Sequence, residues 1–282
     1  MIDKNLARKI KLIVSDLDGT LISDDGNLGA ETKKIITELI KEGVIFSIAS
    51  GRLHSAVVPV AKILSLNGPI ISLDGALIKY HSSGETVFKS SLKERHVIKA
   101  INYSEEYLVN LVLCHADAIY YNDFNTIIPS LLSKFGAEYK KVDSYDAYIK
   151  NTLEIVCASD MKDSIKSIHE AFTFPMALGC STSFFRSHSY ENIFYLEIRR
   201  AGCNKGKGLK RVLKHLNLKP HNAVVMGDWY NDITLFQTRA LKVAVANAIP
   251  ELTRLSDYVT KGTNNEEGAA EFLEMILKAK RN

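Results

Sequence analysis

The chain has 282 residues, 46% hydrophobic and 24% charged, which suits two domains, or one domain with a large insertion, built around a sizeable core. A net charge of +4, with no basic block longer than three residues, argues against nucleic acid as a partner and is compatible with an anionic substrate. No apolar run approaches the roughly 18 residues needed to cross a bilayer.

An apolar run from Ile10 to Val14, broken only by Lys11, predicts a strand at Ile10–Ser15. A helix follows near Ala30–Lys41 with Ile35, Ile36, Leu39 and Ile40 on one face, and Gly43 ends it. The spacing then predicts strand Val44–Ala49, a second helix to about Leu66 and strand Ile70–Leu73. This βαβαβ pattern implies a parallel sheet with right-handed crossovers.

From about Gly84 to Leu196 the pattern changes. Helices are predicted near Lys93–Leu108, Asn125–Phe135 and Asp160–Phe172. Strands are predicted at Val109–Leu113, Ala118–Tyr121, Leu153–Ala158, Phe184–Arg186 and Ile193–Ile198. Neighbouring strand pairs imply an antiparallel α+β unit inserted into the first fold. Alternation then resumes. Helix Lys205–Leu216, strands Ala223–Met226, Lys242–Ala246 and Tyr258–Thr260, and a last helix near Glu267–Ala279 complete the chain.

The N-terminal stretch lacks the apolar segment and cleavage site of a signal peptide, so a cytoplasmic location is expected. Cys114, Cys157, Cys180 and Cys203 have neither CxxC pairing nor metal-ligand spacing, and read as buried reduced thiols.

Three polar clusters fall at strand ends, where open parallel sheets build their sites: Asp16/Asp18, Ser50/Arg52 and Asp228/Asn231/Asp232. Lys205, at a helix start, could join them. Two carboxylates two residues apart at a strand end should point the same way. Several acids near one point repel unless a cation relieves them, and carboxylates without nitrogen or sulfur ligands suit Mg²⁺. Gly19 and Thr20 supply a tight turn, N–H groups and a hydroxyl. The combination points to phosphoryl transfer with a carboxylate nucleophile.

Plainer readings compete. Asp-Gly is a common turn pair, Ser50 could cap a helix, and Asp232 could be a helix N-terminal charge. Lys207 competes with Lys205, and Arg52 could reach substrate or simply pair with a carboxylate.

Together the clusters resemble the motifs of the haloacid dehalogenase (HAD) superfamily, in the Cof-type or class IIB subgroup. Asp16-Leu17-Asp18-Gly19-Thr20 resembles the first motif, Ser50-Gly51-Arg52 the second and Lys205-Gly206 the third. Gly227-Asp228 with Asn231-Asp232 resembles the fourth, and Asn247-Ala248 and Glu267-Gly268 match the subgroup's C-terminal pattern.

The resemblance implies an α/β fold: a Rossmann-like parallel-sheet core over residues 1–83 and 197–282, with an α+β cap of the C2 type over 84–196. It implies a Mg²⁺-dependent phosphatase of small phosphorylated metabolites, acting through an aspartyl-phosphate. Asp16 would be nucleophile and metal ligand. Asp18 would be acid/base and would offer a backbone carbonyl to the metal. Ser50 and Lys205 would hold phosphate, and Asp228 and Asp232 would bind metal. Gly51, Arg52 and Asn231 would serve substrate binding, with Asn231 orienting Lys205 or Asp228. A phosphomutase or phosphotransferase of the same superfamily, and a non-catalytic phosphometabolite-binding protein, are the alternatives.

Two residues depart from that pattern. Asp74 stands where asparagine is usual, and should face the hinge or a positive part of the substrate. Trp229 stands where a smaller residue is usual, and should wall the pocket or pack beneath the loop. The aromatics Tyr120, Tyr121, Phe124, Phe184 and Phe185 are expected mostly to pack the inserted unit.

Overall fold

A computed structural model describes residues 4–122, 137–173, 175–186 and 192–281. The described chain divides into two compact units, one of residues 1–51, 57–88 and 204–282, the other of 52–56 and 89–203. In chain order the first unit contributes strands β1 (Leu12–Ser15), β2 (Ile45–Ile48), β3 (Ile70–Ser72), β4 (Leu77–Lys79) and β5 (Thr86–Lys89). The second contributes β6 (Asn110–Cys114), β7 (Ile119–Tyr121), β8 (Tyr139–Lys141), β9 (Glu154–Ser159), β10 (Cys180–Arg186) and β11 (Phe194–Arg200). The chain then returns to the first unit with β12 (Ala223–Gly227), β13 (Leu241–Ala244) and β14 (Tyr258–Val259).

The first unit is built on a five-stranded sheet ordered β14-β13-β12-β1-β2, every pair parallel. Its central strands β1, β2 and β12 are almost wholly buried and mostly apolar because both faces are covered. Ile13, Phe46, Ile48, Val224 and Met226 pack one face against Ile35, Ile36 and Leu39 of helix Ala30–Lys41 and Phe272, Leu273 and Ile276 of helix Gly268–Arg281. Leu12, Val14, Ala223 and Val225 pack the other face against Leu209, Val212 and Leu213 of helix Lys205–His215. The alternation of faces along β1 and β12 is the period-2 geometry of a strand, and the helical residues recur at three and four positions.

The strand expected at Ile70–Leu73 does not continue this sheet. It touches it through a parallel bridge between Ala49 and Ile71, and leads a three-stranded sheet ordered β3-β4-β5. Leu73, Asp74 and Gly75 take left-handed backbone, at φ 48°, 49° and 91°, which turns the chain back antiparallel into β4. Strands β4 and β5, β8, and the short helix Pro250–Leu255 were not anticipated. They are three to six residues long, too short for a periodic signal.

The second unit is a six-stranded sheet ordered β10-β11-β9-β6-β7-β8. Its pairs are antiparallel as expected, except β7 with β8, which is parallel. Helices Glu94–Glu106 and Lys162–Phe172 supply Val97, Ala100, Ile165, Ile168 and Phe172 to a core with Leu111, Leu113, Ile155, Cys157, Leu196 and Ile198. Tyr120 joins this core and Phe184 packs against it, whereas Phe185 is exposed. The helix expected near Asn125–Phe135 lies outside the described residues. Cys114 and Cys157 are buried thiols, while Cys180 and Cys203 are only partly covered.

Candidate active site

β1 ends at Ser15, and the Asp16 N–H donates to the Met226 carbonyl at 2.9 Å, extending the parallel pairing by one residue. Asp16 is thereby fixed at the carboxyl end of the central strand, beside the end of β12 that carries Asp228. The chain turns at once. The Leu17 carbonyl accepts from the N–H groups of Thr20, Leu21 and Ile22 at 3.4, 3.0 and 3.0 Å. The pleat therefore ends before Asp18, and the turn, not strand alternation, sets the relation of the two carboxylates: Asp16 is buried and Asp18 exposed.

Glycine is required at position 19. Its φ is +74°, and a Cβ there would lie 2.4 Å from Asp228 Oδ2. The same packing lets the Thr20 hydroxyl donate to Asp228 Oδ1 at 2.7 Å, joining the first and fourth motifs.

Helix Lys205–His215 starts with the Asn204 side chain accepting from the Lys207 N–H at 2.8 Å. It docks closely at Gly206, where a Cβ would stand 2.0 Å from the Thr234 carbonyl oxygen. The docking buries Lys205 fully, while Lys207 is exposed. Lys205 Nζ donates to Asp16 Oδ1 and to Asp232 Oδ1, each at 2.7 Å. Asp232 Oδ2 accepts from the N–H groups of Asp228 and Trp229 at 3.1 and 3.2 Å. Both oxygens of Asp232 are thus engaged, one clamping the lysine and one shaping the loop that presents Asp228. The clamp expected of Asn231 falls to Asp232. Asn231 donates instead to Asp74 Oδ1 at 3.1 Å.

Ser50 is buried. Its N–H donates to the Ile71 carbonyl at 2.8 Å, and its carbonyl accepts from the Asp74 N–H at 3.1 Å, so β2 and β3 converge on this corner. Gly51 lies against Asp74 and Asn231: a Cβ there would be 3.5 Å from Asp74 Oδ1 and 3.7 Å from Asn231 Nδ2. Asp74 therefore belongs to the site rather than to a hinge. Arg52 opens the 52–56 stretch of the second unit. Trp229 does not pack beneath its loop. It is exposed and meets Tyr230 edge-on at 5.3 Å.

Asp16, Asp228 and Asp232 each offer an oxygen within 4.8 Å of the others. Burial, then the neighbouring Asp232, pushes Asp16 well above the usual carboxylate range, against the pull of Lys205. Burial likewise lifts Asp228 to about 6, although the Thr20 hydrogen bond opposes it. Burial works against the Lys205 ammonium, but Asp16 and Asp232 outweigh it and hold its pKa above the ordinary lysine value. Three buried carboxylates facing one ammonium leave negative charge unbalanced, and an all-oxygen donor set suits a hard divalent cation. The residues fit a divalent metal.

Sequence reading missed the role of Asn247. Its side chain donates to the Gly19 carbonyl at 2.8 Å and accepts from the Asn264 N–H at 2.9 Å. The Asn247-Ala248 match was the available signal. Among the described residues no helix is long and apolar enough to cross a membrane.

The profile of the haloacid dehalogenase-like hydrolase family matches residues 13–273. A Bacillus subtilis protein named 5-amino-6-(5-phospho-D-ribitylamino)uracil phosphatase YwtE is 25% identical over 295 residues, spanning 95% of this chain and 98% of that one. Phosphatase YwpJ of the same organism is 24% identical over 290 residues, spanning 95% of this chain and 100% of its own. A crystal structure of a haloacid dehalogenase-like hydrolase from Bacteroides thetaiotaomicron superposes with a TM-score of 0.83 at 24% identity, over 95% of this chain and 99% of that one.

Proposed function

The chain belongs to the haloacid dehalogenase-like hydrolase family and is a phosphatase, and from that premise we propose that it hydrolyses small phosphomonoesters through an aspartyl-phosphate formed at Asp16. The observation that carries this reading is the buried Lys205 ammonium shared between Asp16 and Asp232, each at 2.7 Å. It ties up one oxygen of Asp16 and leaves the other for in-line attack on phosphorus.

As the Asp16 oxygen bonds to phosphorus, the bond from phosphorus to the leaving oxygen breaks, and Asp18 delivers a proton to that oxygen. Asp18 then takes a proton from water. The water oxygen attacks phosphorus, breaking the Asp16–phosphorus bond and releasing inorganic phosphate. Lys205 offsets the negative charge that a carboxylate meets on approaching a phosphate group. Ser50 donates its hydroxyl to a phosphate oxygen, and Gly51 and Asn231 border the substrate.

Mg²⁺, held by Asp16, Asp228 and, as the resemblance implies, the Asp18 backbone carbonyl, would supply further charge neutralisation at phosphorus. Asp232 supports that set through Lys205 and the 228–229 backbone rather than joining it. Arg52 and the inserted unit serve leaving-group choice and exclusion of water, the task of a cap. The named substrate of YwtE, a phosphoribityl compound, belongs in a substrate panel beside sugar phosphates and phosphorylated cofactors.

Asp16→Asn is expected to abolish release of inorganic phosphate from an aryl phosphate, with far-UV circular dichroism and thermal midpoint retained. Undiminished phosphate release by a folded Asp16→Asn protein overturns the reading.

A further inference from the structure

We propose that Asn247 is a positioning residue for the general acid: it straps the Asp18-Gly19-Thr20 turn to the C-terminal segment and so aims Asp18 at the leaving oxygen. The inference rests on the roles given above to Asp16 and Asp18.

The strap is a continuous run of side-chain hydrogen bonds. From the turn after β13, Asn247 Nδ2 donates to the Gly19 carbonyl at 2.8 Å, and Asn247 Oδ1 accepts from the Asn264 N–H at 2.9 Å. Asn264, itself buried, donates from Nδ2 to the Ile22 carbonyl at 3.2 Å and to Asp24 Oδ1 at 2.9 Å. Asn265 donates from Nδ2 to Asp24 Oδ2 and accepts from the Asp24 N–H, both at 2.9 Å. The loop that follows the nucleophile is held at Gly19, Ile22 and Asp24 by residues more than 200 positions away in sequence.

The turn needs this hold. Gly19, at φ +74°, is the residue type with the least conformational preference of its own. The Leu17 carbonyl holds the N–H groups of Leu21 and Ile22 at 3.0 Å, but it holds the Thr20 N–H, which lies in the Gly19–Thr20 peptide, only at a long 3.4 Å, so that plane needs a second hold. Asn247 sets it through the Gly19 oxygen. Holding that plane limits how the turn can rotate about Gly19, and with it the direction of Asp18, one residue upstream, and the reach of the Thr20 hydroxyl to Asp228 at 2.7 Å. Asn247 is exposed, and one surface amide hydrogen bond contributes little to global stability, so its loss should be read in the chemistry rather than in the fold.

The discriminating experiment varies the leaving group. Phosphate release is measured for wild type, Asn247→Ala and Asn247→Asp on p-nitrophenyl phosphate, whose leaving group departs without a proton, and on an alkyl phosphate, whose leaving oxygen must be protonated. Asn247→Asp keeps the acceptor for Asn264 but cannot donate to Gly19, and it serves if the alanine variant is poorly folded. Both variants are expected to lose about tenfold in kcat/KM, which reports the step in which the leaving group departs and not the later hydrolysis shared by both esters, on the alkyl ester, and about twofold or less in kcat/KM on the aryl ester. A smaller folded fraction would lower both rates by one factor. Equal losses in kcat/KM on the two esters, or no loss on either, overturn the proposal. Asp16→Asn, run alongside, reports separately on the parent reading, since it should be inactive on both esters.

Discussion

At the residue scale the decisive feature is a fully buried lysine between two carboxylates. Removing one partner of a buried charge cluster leaves the others uncompensated. Lys205→Met is therefore expected to abolish turnover and to cost about 3–5 kcal/mol, read as a lower urea midpoint in chelator. Asp228 makes the cation-free protein sensitive to pH. Burial raises its pKa from 3.8 to about 6, so between those values the folded state binds more protons than the unfolded state. The contribution of Asp228 to stability consequently falls as pH rises through that window and does not recover above it. A cation at Asp16 and Asp228 holds the ionised forms and should reverse the slope. The check is the thermal midpoint from pH 4 to 7, with chelator and with Mg²⁺. Because burial lowers the pKa of His96 and His115, which adds stability as pH rises, the comparison is made against Asp228→Asn: a wild-type midpoint that does not fall relative to that variant as pH rises in chelator contradicts this account.

At the element scale the site depends on close approaches that only glycine permits. Gly206→Ala sets a Cβ 2.0 Å from the Thr234 carbonyl, so helix Lys205–His215 must move, carrying Lys205 from Asp16. A loss of at least tenfold in kcat and of about 1–3 kcal/mol in stability is expected. Gly43→Ala is the contrast. Its φ is +80° with nothing within 4 Å of the added Cβ, so it should cost about 1 kcal/mol through backbone strain and leave kcat unchanged. Kinetics and denaturant midpoints on the two variants separate these cases. The C-terminal pattern also acts through an element. Glu267 Oε2 accepts from the Thr32 N–H at 2.7 Å and from its hydroxyl at 2.8 Å, capping helix Ala30–Lys41 from across the sequence.

At the scale of the whole molecule, each unit carries its own core. The second unit is continuous from 89 to 203 apart from the 52–56 stretch, and packs two helices on one sheet face. On the other side, Arg199 pairs with Glu154 at 2.5 Å and with Glu197 at 3.0 Å, linking β9 and β11. A fragment of residues 89–203 is expected to fold alone, shown by a cooperative thermal transition in circular dichroism. A non-cooperative melt would mean that its core is not self-sufficient.

The sequence by itself determined the parallel core, the antiparallel character of the insertion and most of the polar residues that the fold gathers at the candidate site. Those rest on patterns within one element: the 3.6-residue spacing of Ile35, Ile36 and Leu39, the unbroken apolar run of β1, and polar groups placed at strand ends. Tertiary structure alone decided how those polar groups divide their work. Lys205 rather than Lys207 is buried, Asp232 rather than Asn231 clamps it, Asp74 enters the site, and Asn247 holds the Gly19 turn. Neighbours a residue or two apart in sequence read alike, because their difference lies in partners brought from other strands, as in the 189 positions between Lys205 and Asp16. A hydrogen bond between such partners is set by the packing of whole elements, and local periodicity carries no record of it.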